Sequence, residues 1–151
     1  MSETIRTADI IGRRLYDAGV RFAFGIPGGE VLTLIDGLEK AGIRFILSKH
    51  ENAAGFMAEG VYHITGTPGV LIATVGPGAA NAVNVTANAL QDRVPMIVIT
   101  GCVDPADTVT CSQSSDDWNR NLPPSWLKAL MYLTVLTVYI SNISNKCSYD
   151  N

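Results

Sequence analysis

Across the first 110 residues the apolar spacing switches repeatedly between the period of a helix and the short runs of a buried strand, with glycine-bearing turns at several changes. Ile11, Leu15 and Ala18 fall at i, i+4 and i+7, and Thr7 stands where it can cap the helix they define. A strand is predicted over Phe22–Ile26, followed by the turn Pro27-Gly28-Gly29. Val31, Leu34, Ile35 and Leu38 predict a second helix over Glu30–Lys40, with Gly42 suited to its C-terminal cap. Arg44–Leu47 reads as a strand, and Glu51–Thr65 as a helix with Ala54, Met57, Ala58 and Val61 on one face and Gly66 at its end. Gly69–Val75 is apolar in the manner of a strand buried on both faces. Gly76-Pro77-Gly78 breaks it, Ala79–Leu90 forms a small-residue helix, and Met96–Thr100 is the fourth strand. Strand–helix–strand units with short connections require parallel strands crossed over by helices. The predicted fold class is therefore α/β, a doubly wound parallel sheet flanked by helices.

Composition narrows the function classes. A chain of 151 residues suits about one domain, and 47% apolar with 17% charged residues excludes a disordered polyelectrolyte. The net charge of −3 gives no basic footprint for nucleic acid or an anionic membrane. Cys102, Cys111 and Cys147 are scattered and odd in number, which argues for a reducing compartment and against disulfide or metal roles. The first ten residues hold no apolar run of the kind a secretion signal needs, so a cytoplasmic location is expected.

The composition changes near residue 110. All 14 glycines lie at or before Gly101, and residues 111–151 hold seven of the nine serines. Residues 1–110 thus read as one domain and 111–151 as a divergent tail with no assigned domain. Trp126–Ile140 is mostly apolar but shorter than the roughly 20 residues of a membrane span. A buried strand, a buried helix or an unstructured apolar tail remain open for it.

In an open parallel sheet, ligands bind beyond the carboxyl ends of the strands. Three segments emerge there: Gly25–Glu30, Ser48–Glu51 and Gly76–Asn81. Glu51 stands out. It opens a helix directly after a strand, where the helix dipole favours its ionised form, while Ala53, Ala54, Phe56 and Met57 beside it favour the neutral form by desolvation. A carboxylate between those pressures can share a proton with a ligand nitrogen, or it can simply complement the dipole. His50-Glu51 begins an H-E-x-x-H pattern, but the fifth position is Ala54 and the metalloprotease reading fails. His63 reads as an exposed or packed histidine. Gly76-x-Gly78-x-x-Asn81 approaches the dinucleotide fingerprint, with Asn where the third glycine belongs and Asp104 past the next strand. Lys49 lacks the glycines and the following Ser or Thr of a phosphate loop.

Five segments in order carry a resemblance: FGIPGGE (24–30), SKHENAAGFMAEG (48–60), TGTPGV (65–70), VGPGAAN (75–81) and QDRVPMIVITG (91–101). Together they resemble the N-terminal pyrimidine-binding domain of thiamine-diphosphate-dependent enzymes, of the acetolactate synthase type. The resemblance covers residues 4 to about 110. It implies that Glu51 is the catalytic, cofactor-activating carboxylate, hydrogen-bonded to N1′ of the aminopyrimidine of thiamine diphosphate. Pro27, Gly28, Gly29, Gly76, Pro77 and Asn81 are implied to line the pyrimidine pocket. The implied reaction is decarboxylation of a 2-keto acid such as pyruvate and condensation with a second, in branched-chain amino acid biosynthesis.

In such enzymes Mg²⁺ and the diphosphate are held by a G-D-G…N motif of another domain, and FAD accompanies many acetolactate synthases. These 151 residues contain no G-D-G. Where the family has G-Y-A-R-A-T-G, this chain has Gly60-Val61-Tyr62-His63-Ile64-Thr65-Gly66. The resemblance therefore implies a truncated chain, inactive alone, with an apolar sheet edge beyond its fourth strand. It implies sites shared between subunits, hence a homo-oligomer or pairing with a full-length subunit. An alternative reading makes the chain a regulatory or dominant-negative partner of a full-length homologue. A dinucleotide-binding module built on Gly76–Asn81 is the rival reading from the residues themselves.

Overall fold

The computed structural model describes residues 5–102 and 135–141. Five parallel strands form one sheet in the order β2-β1-β3-β4-β5, where β1 is Phe22–Gly25, β2 Arg44–Leu47, β3 Gly69–Ala73, β4 Met96–Cys102 and β5 Val135–Ser141. The helices are α1 (Thr7–Asp17), α2 (Leu32–Lys40), α3 (Glu51–Thr65) and α4 (Pro77–Gln91). This is the predicted α/β architecture, with β1 and β3 meeting at the point where the strand order reverses.

The helices divide between the two faces because the apolar stripes that the sequence gives them need different partners. On one face Val31, Leu34, Ile35 and Leu38 pack with Val20, Ile43, Val70, Ile72 and Ile99, and Ile11 and Leu15 of α1 rest against the same cluster. On the other face Ala54 and Ala58 of α3 and Ala82, Val85 and Ala89 of α4 cover Phe24, Leu71 and Val98. Small residues on α3 and α4 let the two helices approach closely. Polar pairs then line their seam: Asn81 to Glu51, Asn84 to Asn52 and Asn88 to Glu59. The central strand β3 is buried along its whole length, as its unbroken apolar run predicts.

Several boundaries differ from expectation, each for a non-local reason. Thr7 is the first residue of α1, not its cap, and no side chain caps the helix. Arg6 occupies that position instead, with its guanidinium on Asp9 (2.6 Å) and on Asp36 of α2 (2.6 Å). The guanidinium holds both carboxyls below the ordinary aspartate range. The segment before α2 is a 3₁₀ turn over Gly29–Val31, so α2 starts at Leu32 and not at Glu30. β3 stops at Ala73, two residues earlier than its apolar pattern suggests, and α4 starts two residues earlier, with Pro77 in its first turn, where a missing N–H costs nothing. Gly66 ends α3 at φ 72°, in the left-handed region.

Val135–Ser141 lies in the segment set apart by composition, yet it pairs with β4 in register over seven residues, from Met96↔Val135 to Cys102↔Ser141. The expected bare edge beyond β4 is thus covered by β5. Asp104, Cys111, Cys147 and the rest of the tail lie outside the described residues. Among the described residues no helix is long and apolar enough to cross a membrane.

Glu59 gives the fold a pH dependence. It is buried between α3 and α4, and burial pushes its carboxyl up, assisted by the Asp92 charge and opposed by the Asn88 amide and by His63. Because the folded state binds this proton more tightly than the unfolded chain, Glu59 favours folding at low pH and loses that contribution as pH rises through its raised range. Asp9 and Asp36 act oppositely, losing their contribution as pH falls through their depressed range. Glu59→Gln is expected to raise the neutral-pH Tm by about 2–4 °C and to flatten the decline of stability across the range in which Glu59 ionises. Thermal unfolding of both proteins across pH checks this.

Candidate functional site

The carboxyl ends of β1, β2 and β3 deliver three short loops to one edge of the sheet, and the site is built from them. At the end of β2, Ser48 is buried and its hydroxyl donates to Gly25 O and His50 O, both at 3.2 Å, tying the β2 loop to β1. His50 then takes the cap position of α3, where its imidazole Nδ1 accepts the Asn52 N–H at 3.1 Å. This settles the histidine of the failed H-E-x-x-H pattern: it is a helix cap. It leaves Glu51 as the first residue of α3.

Glu51 is 5% exposed. Its Oε2 accepts a hydrogen bond from Asn81 Nδ2 at 3.0 Å, and its Oε1 faces the backbone of Gly78. A Cβ at Gly78 would stand 3.1 Å from that oxygen and overlap Thr74 Oγ1. Thr74 turns its methyl the other way, toward Gly28, where a Cβ would overlap Thr74 Cγ2 and stand 2.9 Å from Glu30 Oε2. The two glycine-rich turns thus lie on either side of one threonine, with a carboxylate beyond each.

The surroundings of Glu51 differ from those expected. Phe56 and Met57 are 44% and 37% exposed, and Ala53 is exposed as well, so they point away from the carboxylate. Ala54 faces the core. Glu51 is enclosed by Asn81 and the glycine backbone of the next loop, so its setting is a polar one.

Of the other predicted residues, the structure joins Asn81 to Glu51 directly. Gly28 lies half-buried beside Thr74, and Gly76 is buried at the cap of α4 with φ 66°. Pro27, Gly29 and Pro77 are exposed on the same loops, and a Cβ on Gly29 would meet open space. In the Gly76–Asn81 segment the asparagine at the third glycine's position is engaged by Glu51. Thr74 and Glu30 were not anticipated. Glu30 carried a signal, an acidic residue directly after Pro-Gly-Gly at a strand end, but the helix pattern absorbed it. Among the described residues no group of three or more His, Cys, Asp or Glu side chains could hold a metal ion.

Chemically, the arrangement offers a shielded carboxylate with one oxygen fixed by an amide and the other beside bare backbone. That suits a flat heterocycle with a ring nitrogen able to share a proton.

Comparison with known proteins places this geometry in context. The family profile "Thiamine pyrophosphate enzyme, N-terminal TPP binding domain" matches residues 5–120, running past the composition break. The acetolactate synthase large subunit of Buchnera aphidicola (from Acyrthosiphon pisum) is 45% identical over 102 residues, covering 67% of this chain and 18% of that protein. The acetolactate synthase isozyme 3 large subunit of Escherichia coli is 43% identical with the same coverage. A Pseudomonas aeruginosa protein named "Probable 2-ketoarginine decarboxylase" is 41% identical over 97 residues, covering 64% of this chain and 17% of that protein. The chain therefore spans under a fifth of the length of these relatives.

Proposed function

The chain belongs to the thiamine pyrophosphate enzyme family through its N-terminal TPP-binding domain, and on that premise we propose that Glu51 and Asn81 receive the aminopyrimidine of thiamine diphosphate. The supporting observation is the buried Glu51 carboxylate, fixed by Asn81 and facing Gly78, where no side chain intervenes. The residues fit the group by the chemistry of the donor set: a buried carboxylate with one oxygen held by the Asn81 amide and the other beside the Gly78 turn, able to meet a ring nitrogen. When bound, thiamine diphosphate supplies an electron sink for cleavage next to a carbonyl.

The chain's own part is proton placement. Glu51 shares a proton with N1′ and so acts as the catalytic carboxylate. Asn81, by donating to Oε2, orients the carboxylate so that Oε1 meets the ligand. Gly28 and Gly78 let their two turns close on Thr74 beside the carboxylate, with Pro27, Gly29, Gly76 and Pro77 as the surrounding loop surface proposed to meet the ring. Enclosure by Asn81 and the Gly78 turn leaves Glu51 5% exposed and strengthens the hydrogen bond.

For the whole protein we propose the acetolactate synthase type of activity: decarboxylation of a 2-keto acid and condensation with a second, in the cytoplasm and in branched-chain amino acid synthesis. The names of two of the relatives above support it, and the third keeps simple decarboxylation of a 2-keto acid as the second reading. Mg²⁺ and the diphosphate, and FAD if used, would be held by sequence other than the described residues. The site would be completed by another subunit, in a homo-oligomer or with a full-length partner.

The test is titration of the 151-residue chain with thiamine diphosphate, followed through the Asn81 side-chain amide resonance. Glu51→Gln is expected to weaken binding about 10- to 100-fold, the worth of a hydrogen bond to a charged group. Equal affinity in the variant, or a response to NAD or FAD in place of thiamine diphosphate, would defeat the proposal in favour of the dinucleotide module.

A further inference from the structure

β3 leaves its ladder after Ala73, so the Val75 N–H at the reversal point of the sheet has no strand to pair with. A backbone donor in such a place must be satisfied elsewhere. Glu30, 45 residues away, takes it: its Oε1 accepts from Val75 N at 2.9 Å. The stem of Glu30 lies on Gly101 of β4, where a Cβ would overlap Glu30 Cγ, and its Oε2 lies against Gly28. One half-buried side chain therefore bridges the turn after β1, the turn after β3 and the end of β4. Val75 adjoins Thr74, Thr74 touches Gly78, and Gly78 faces Glu51 Oε1. A carboxylate is the stronger choice of acceptor for such a bridge, since charge-assisted bonds are about twice as strong as neutral ones.

We infer that Glu30 is a positioning residue: by holding Val75 N–H it fixes the Thr74–Gly78 turn, and with it the approach of Gly78 to the Glu51 carboxylate. Its place in the chemistry rests on the assignment of Glu51 above. Glu30 acts through the turn, by way of Val75 and Thr74.

The test uses the ¹⁵N-labelled 151-residue chain. Glu30→Ala is expected to displace the Gly78 amide and Asn81 side-chain resonances and to lower thiamine diphosphate affinity about tenfold. Glu30→Gln, whose side-chain carbonyl still accepts from Val75, is expected to restore both resonances and bring affinity to within about twofold of the original. A merely structural role would lower urea stability in both variants and leave the Gly78 and Asn81 resonances in place, and that result would overturn the inference. If the unaltered chain fails to bind thiamine diphosphate, the proposal that this chain receives the aminopyrimidine without the completing subunit falls, and the resonances still decide the role of Glu30. Displacement in Glu30→Ala with restoration in Glu30→Gln supports it; no movement in either overturns it.

Discussion

Gly78→Val is expected to remove thiamine diphosphate binding, by about 100-fold or more, while the sheet stays folded. The Cβ alone would overlap Thr74 Oγ1 and come within 3.1 Å of Glu51 Oε1, and valine adds two methyl groups in the same direction. Thr74 is backed by Gly28 on its other side and has little room to yield. The Glu51 carboxylate must then rotate off the Asn81 amide or meet the ligand through a methyl group, and either outcome loses a charge-assisted hydrogen bond and the contact surface together. Gly78 lies in the first turn of α4, away from the strand ladders, so overpacking there costs about 1–3 kcal/mol and leaves the core in place. Calorimetric titration and thermal unfolding of the same sample separate the two effects. Loss of binding at Gly78 alone does not discriminate thiamine diphosphate from a dinucleotide, because both would approach that backbone. Glu51→Gln does, since a dinucleotide bound at Gly76–Asn81 has no use for that carboxylate.

Gly25→Ala is expected to be the most destabilising single-methyl change in the described residues, at about 3 kcal/mol or more. Gly25 closes β1 opposite Ile72 of β3, and a Cβ there would overlap the Ile72 carbonyl oxygen and stand 3.2 Å from Ile72 Cβ. Both neighbours are buried at the centre of the sheet, and a backbone oxygen cannot rotate aside. β1 and β3 must separate just where their loops form the site. The comparison variant is Gly60→Ala on α3, where a Cβ meets nothing within 4 Å. Relief of glycine's helix penalty there should stabilise by about 0.5–1 kcal/mol. Urea unfolding should move the midpoint in opposite directions for the two variants, with unchanged slope for Gly60→Ala.

What could be read from the sequence was what neighbours in sequence decide. Val31, Leu34, Ile35 and Leu38 declare their shared face by spacing, and all four are buried. Glu51 at the junction of a strand and a helix was legible for the same reason, since a strand end and a helix start are local events. Asn81 was named only through the resemblance, and its hydrogen bond to Glu51 was not legible, because Asn81 comes from the next strand–helix unit, 30 residues on, and is set by the register of α3 against α4. The end of β3 shows the limit well. Thr74 and Val75 have strand-forming side chains, so propensity carries the strand through them, but the ladder ends at Ala73 and the Val75 N–H goes instead to Glu30 from across the sheet edge.

Pro77 and Gly78 misled in the opposite sense. Both are poor helix formers in a helix interior, yet the first turn tolerates proline, and Gly78 is required by its neighbours. Arg6 outbid Thr7 at the start of α1 through an ion pair to α2 that no local pattern encodes. β5 was one of several open readings of an apolar stretch, and its pairing with β4 lies some 40 residues away in sequence. Each of these misses depends on a partner distant in sequence, and two of them, Glu30 on Val75 and Gly78 on Thr74, lie at the site itself.

The central claim is that Glu51 shares a proton with the N1′ nitrogen of a bound aminopyrimidine, and the most direct measurement is the ¹⁵N chemical shift of that nitrogen. Thiamine diphosphate labelled at N1′ should, when bound to the 151-residue chain at neutral pH, shift toward its protonated position, and Glu51→Gln should return it to the position of the free ligand. A saturated complex whose N1′ resonance stays at the free-ligand position, or moves equally with Gln in place of Glu51, would contradict the account.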